Sequence, residues 1–170
     1  QRVDTLRPRF DLPAGDHGDR DPHAEGHQPE KPHHRREPEE PSAQQATLTR
    51  SGTGSIGTAV TFTYTSPGSV GKPALFGWSL GTSPGIDLGG LRVLPLNGDF
   101  LFEAAWYGNS ILTPTWVALN GASQAQAMLT IPNDPLFIGF TTYVAGITWD
   151  SAYHYGIKTW SLPVAVTVIP

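Results

Sequence analysis

The side chains best able to do chemistry crowd the start of the chain: Asp16, His17, Asp19, Asp21, His23, Glu25, His27, His33 and His34. Imidazole and carboxylate groups together suit zinc, copper or nickel. Their spacing matches no fixed ligand motif, and a flexible segment loses entropy when it closes around an ion. The preferred reading is therefore a solvated, mixed-charge linker. A transition-metal site built from His17, His23, His27, His33 and His34 is the sharper alternative. Such a cluster beside acids would also change charge near neutral pH.

Further along, the acid–base candidates are Asp87, Asp99, Glu103, Asp134, Asp150 and His154. A glycosidase needs two carboxylates facing each other across a cleft. Asp99 and Glu103 share a face if the chain there is extended, so they are the conceivable pair. The plainer assignment makes Asp99, after Asn97-Gly98, a turn acid, Asp134 a helix cap and Asp150 a turn residue at a strand end. No Gly-x-Ser-x-Gly elbow supports a serine triad, and no glycine-rich loop leads into a helix to hold phosphate. Calcium needs several oxygen ligands, and the loop 81–90 offers only Asp87. The expectation is a non-enzyme with no required cofactor, calcium or a transition metal being the alternatives.

Aromatic rings can stack on sugars. The rings to test are Trp106, Tyr107, Trp116, Trp149, Tyr153, Tyr155 and Trp160, most of them core residues by default. Tyr153, Tyr155 and Trp160 flank a loop and are the expected exposed set for binding a glycan. No Asn-x-Ser/Thr acceptor is present. The chain has no cysteine, which excludes disulfides, thiolate metal sites and cysteine nucleophiles.

These groups sit on two unlike segments. Residues 1–45 carry 17 of the 26 Asp, Glu, Lys and Arg side chains, five of the six His and one aromatic, Phe10. So polar a segment buries too little apolar surface to offset its ordering entropy. Its prolines favour extended stretches. The tip, residues 3–12, is strand-like: Leu6, Phe10 and Leu12 fall on one side of an extended chain and Val3 on the other, with Pro8 suited to an edge. Val3, Leu6, Phe10 and Leu12 are thus candidates to dock on something. Residues 46–170 hold 16 of the 17 aromatic rings and only nine charged side chains. That ring content suffices for a core without staples.

From residue 46 the pattern has period two. Val60, Phe62 and Tyr64 alternate with Thr61, Thr63 and Thr65, marking a half-buried strand. Residues 74–80 read as a strand in which Phe76, Trp78 and Leu80 share a face, while Gly77 signals close packing opposite. A short strand is expected over 91–96. Residues 99–107 alternate poorly. Residues 114–119 form a strand ending at Asn120-Gly121, a hairpin signal, and 124–131 follows with Ala125, Ala127 and Leu129 inward. One helical turn capped by Asn133 or Asp134 is predicted before Gly139. A long strand spans 140–150, and 163–169 closes the chain. About seven to nine short strands with regular turn signals predict an all-β, antiparallel β-sandwich, jelly-roll-like, over 46–170, with 1–45 as an extended N-terminal arm.

Three stretches carry a family resemblance: Leu91-Arg-Val-Leu-Pro-Leu-Asn-Gly-Asp-Phe-Leu-Phe, the run from Gly121-Ala-Ser-Gln-Ala through Ile131-Pro-Asn-Asp-Pro-Leu-Phe-Ile-Gly to Trp149-Asp, and the closing Trp160-Ser-Leu-Pro-Val-Ala-Val-Thr-Val-Ile. Residues 46–170 resemble a β-sandwich domain of exported planctomycete-type bacterial surface and secreted proteins. Leu162-Pro163 departs from the Asn that usually follows the serine at Ser161. The resemblance implies a fold and export, and transfers no catalytic residue. Gln1 in place of Met fits a removed signal peptide or a chain cut at that point. Export to the cell exterior is the expectation.

The net charge of −4 divides into −3 for residues 1–45 and −1 for the rest, so no basic field exists for nucleic acid. No apolar run reaches the roughly 20 residues of a membrane helix. A weakly charged sandwich with open edges and a strand-tipped arm suggests a secreted, self-assembling subunit of a fibre, matrix or surface layer, its partners copies of itself. The alternative is a carbohydrate- or ligand-binding module.

Overall fold

The structure, a computed structural model, describes residues 46–89 and 92–170. Val3, Leu6, Phe10 and Leu12, and the histidines His17, His23, His27, His33 and His34, lie outside the described residues. The elements are β1 (Thr47–Ser51), β2 (Ala59–Thr65), β3 (Pro73–Ser79), β4 (Ile86–Asp87), β5 (Val93–Leu94), α1 (Phe100–Tyr107), β6 (Leu112–Thr113), β7 (Trp116–Ala118), β8 (Gln124–Thr130), β9 (Thr141–Trp149), β10 (Ile157–Trp160) and β11 (Val164–Thr167). A 3-10 turn at Pro135–Phe137 precedes β9 and another at His154–Gly156 follows it. All named strand pairs are antiparallel.

The first sheet has the order β1-β2-β8-β6. In the second, β9 pairs with β3 on one side and with β10 and β11 on the other, while β7 extends β3. The alternation read from the sequence places the faces correctly. Val60, Phe62 and Tyr64 are buried with Ala125, Ala127 and Leu129, and they meet Phe76, Trp78 and Val144 between the sheets. The protein is an all-β antiparallel sandwich.

A second core lies on the outer face of the second sheet. Leu75, Ala145 and Ile147 point there, under Leu88, Leu94 and Leu96 from the β4–β5 ribbon region. Strand β9 is thus covered on both faces, as its near-continuous burial shows. Gly77 does mark close packing: a side chain there would meet Leu96 Cδ1 at 2.8 Å and Phe102 Cε2 at 3.1 Å.

Two expectations need correction. Residues 99–107, whose poor alternation leaves their element open and whose Asp99 is expected in a turn, contain helix α1. Leu, Glu and two Ala favour a helix, and no Gly or Pro intervenes before Gly108. The conceivable Asp99–Glu103 catalytic pair on an extended strand goes with that reading: Asp99 is the N-cap and Glu103 lies in the first turn. Residue pairs four apart explain the helix's role. Leu101 and Ala105 enter the core between the sheets, whereas Phe102 packs on the outer core. The helix therefore straddles the edge of β3 beyond the short β7, covering backbone that would otherwise stand open. The second correction concerns Asn120-Gly121. It makes a turn in which Asn120 Oδ1 accepts from Ala122 N at 2.9 Å and Gln124 N at 3.0 Å. The turn carries the chain from β7 in one sheet to β8 in the other, so it is an arch and not a hairpin.

Asp134 caps its turn by accepting from Leu136 N at 2.9 Å. Asp150 accepts from Ala152 N at 3.2 Å just after β9. Lys72 Nζ lies 3.0 Å from the Asp150 carboxylate. Its hydrogen bond, together with that from Ala152, holds the Asp150 carboxyl below the ordinary aspartate range. A folded pKa below the unfolded one gives stability present above the unfolded value and lost as pH falls through the folded one. Lys72→Met is therefore expected to leave a shallower loss of stability below about pH 4. Acid titration of the melting temperature checks this, and parallel curves for both proteins would contradict it.

Candidate functional site

Two concave surfaces stand out, one at an end of the sandwich and one on its outer face. The end is fixed by register. Ala59 pairs with Thr130 and Ser79 with Tyr143, so these residues mark one end of the two sheets. Thr65 pairs with Gln124 and Ala74 with Thr148, marking the other.

At the first end the sheets do not close. A cleft of about 220 Å³ opens between Trp78 of β3, Leu129 and Ile131 at the end of β8, Leu101 of α1, and Val168. Phe100, Ile111, Phe137 and Phe140 also line it, and each is exposed on its outer side, Phe100 by 65%. Phe137 and Phe140 meet edge to face, with centroids 6.4 Å apart. The Thr142 hydroxyl at this cleft is committed, donating to Ser79 O at 2.9 Å. Trp78 is only 7% exposed, and its buried Nε1 finds no acceptor among the described residues. Buried indole N–H groups are normally paired.

The opposite end is closed by hydroxyls. Tyr64 OH lies 2.9 Å from Thr148 Oγ1 and 3.3 Å from Thr159 Oγ1, and Ser66 Oγ lies 2.8 Å from the latter. Ser66 also donates to Ser69 Oγ at 3.0 Å. All five residues are buried. Burial pushes the Tyr64 phenol pKa up, and its hydroxyl partners oppose that rise. Mutual satisfaction makes this network a structural plug.

The outer face carries the aromatic cleft, of about 230 Å³, lined in part by Trp106, Trp149, Tyr155 and Asp87. Trp106, Trp116 and Trp149 form an edge-to-face triangle with centroids 5.3, 5.7 and 6.3 Å apart. Trp116 Nε1 donates to Trp106 O at 3.0 Å, tying β7 to the end of α1. Trp106 and Trp116 are 40% and 37% exposed, so they are not wholly core. Of the three rings expected to meet glycans, Tyr155 is exposed and lines this cleft, at a left-handed φ of 52°. Tyr153 is half-buried. Trp160 is half-buried on β10, with the Arg92 guanidinium 5.0 Å from its ring centroid. The tryptophan triangle was hidden by the missed helix: Phe102 and Trp106, four apart, share the outward face that helical period predicts.

The basic side chains among the described residues are engaged in holding the fold. Arg50 donates to Ala165 O, Arg92 to Ile157 O and Lys158 to Gly68 O, while Lys72 pairs with Asp150. Among the described residues no group of three or more His, Asp or Glu side chains converges to hold a metal ion, and no helix is long and apolar enough to cross a membrane.

The molecule is thus an antiparallel sandwich plugged by hydroxyls at one end and open on apolar side chains at the other. No family model matches the chain, and no curated protein matches it.

Proposed function

We propose that this chain is a secreted, self-associating structural subunit of an extracellular fibre, matrix or surface layer, whose N-terminal arm packs on, or adds a strand to, a neighbouring copy. The observation that carries this reading is the open end. Phe100, Ile111, Leu136, Phe137, Ile138 and Phe140 are all exposed there or in the adjoining turn. Apolar side chains gathered in this way mark a surface that is covered in use. Low charge supports the reading, because residues 46–170 hold few repelling groups. Strand β1, the longest outer strand of the first sheet, offers an edge to an added strand.

Light scattering tests it. The full chain is expected to assemble with rising concentration, and a chain with Val3, Leu6, Phe10 and Leu12 replaced by serine to stay monomeric. Equal mass for the two chains would end the proposal.

A second reading, a carbohydrate- or ligand-binding module, is favoured by the half-exposed tryptophan triangle beside Tyr155 and Asp87. A glycan array probed with the full chain decides it: binding lost in Trp106→Ala supports this reading, and a blank array removes it.

A further inference from the structure

We propose that the open cleft is the seat of Phe10 from the arm of a neighbouring copy, so that subunits join head to tail. This rests on the assembly reading above and names its contact.

Three observations meet at the cleft. Its walls are apolar and its rim carries exposed rings, so it suits an apolar side chain. An extended peptide supplies such a side chain while its backbone stays at the mouth. Within residues 1–45 the one aromatic is Phe10, and Leu12 follows two residues on, the spacing that puts both on the same side of an extended strand. Ile111 stands just before β6, an outer strand of the first sheet, so a chain crossing the mouth passes a strand edge.

The third observation concerns reach. Thr47 pairs with Thr65, and Thr65 with Gln124, so Ala46 enters the fold at the plugged end. The cleft lies at the other end. Residues 13–45, at about 3.3 Å each, span on the order of 100 Å, enough to reach the cleft of the next subunit, and the assembly reading selects that cleft over the chain's own. A contact of this kind is heterologous: it makes a closed ring where the rotation between copies closes and an open filament where it does not.

Because the chain has no cysteine, disulfide mapping is clean. Cysteines are placed beside the contact so that Phe10 and the cleft walls are kept: full-length D11C is mixed with full-length L136C and oxidised, Leu136 being 89% exposed in the turn adjoining the cleft. L162C is the control, since Leu162 is 67% exposed between β10 and β11 and does not line the cleft. Cross-linked D11C–L136C dimer is expected at about tenfold the D11C–L162C yield, and Phe10→Ser in the D11C chain is expected to remove that excess. If the serine-substituted arm still assembles, the assembly reading itself fails and this proposal with it. If that chain is monomeric but D11C pairs no better with L136C than with L162C, the arm is needed and the cleft is not its seat. If the D11C/L136C double variant closes within one chain while the single variants do not pair, the neighbour assignment is wrong.

Discussion

Gly146→Ala is expected to lower the melting temperature by about 10 °C, the equivalent of roughly 3 kcal/mol for a domain of this size. Gly146 sits in the middle of β9 opposite Tyr64. An added Cβ would come within 2.5 Å of Tyr64 Cε2 and closer still to Cδ2 and Cγ. Neither side has room to yield. The Tyr64 hydroxyl is bound to Thr148 Oγ1 at 2.9 Å, and the ring meets Phe76 edge to face with centroids 6.2 Å apart. Gly146 is held on both flanks, pairing with Phe76 and exchanging bonds with Ser161, whose Oγ accepts from Gly146 N at 3.0 Å and whose N donates to Gly146 O at 2.9 Å. Thermal denaturation followed by circular dichroism measures the loss. A shrinkage of that loss in the Tyr64→Ala background would locate the conflict between these two residues. A G146A melting point within about 2 °C of the parent would refute the argument.

Asp99→Ala is expected to cost about 3 kcal/mol, because one carboxylate does two jobs. Its Oδ1 accepts from Leu101 N at 3.0 Å and Phe102 N at 3.2 Å, capping α1. Its Oδ2 accepts from Leu80 N at 2.7 Å and Ser79 Oγ at 2.9 Å, fixing the end of β3. Alanine removes both. Asparagine can still cap, since Asn and Asp serve equally well there, but its amide would face the Leu80 N–H donor with another donor. Asp99→Asn should therefore recover only the cap, about 1 kcal/mol. Urea midpoints of the three proteins give the order parent, D99N, D99A. If D99N matched the parent, the link to β3 would carry no weight.

How much of this was readable in the sequence depends on how local the signal is. The alternation of Val60, Phe62 and Tyr64, and of Ala125, Ala127 and Leu129, gave the inward faces directly, because period two is a property of one strand. Gly77 flagged close packing, and Asp134 and Asp150 their turns, for the same reason. Strand partnership was not readable. Asn120-Gly121 makes the same local turn whether the strands beside it join one sheet or two. Helix α1 was obscured because it straddles an edge: Leu101 and Ala105 serve one core and Phe102 another, so its apolar residues do not fall into a single stripe. The two clefts depend on that helix, and no motif announces either. That Trp78 Nε1 finds no acceptor among the described residues is a fact of three-dimensional packing alone.

Strand β9, covered on both faces, also sets a timetable for the chain. It runs from Thr141 to Trp149, and its partner β3 ends at Ser79, far upstream. A chain that has emerged only to residue 140 carries Leu75, Phe76 and Trp78 on a strand without its principal neighbour. Pairing over such separations is slow, and an unpaired strand edge invites association with other chains. Residues 141–170 are therefore what complete the sandwich: until they arrive, β3 has no partner along most of its length.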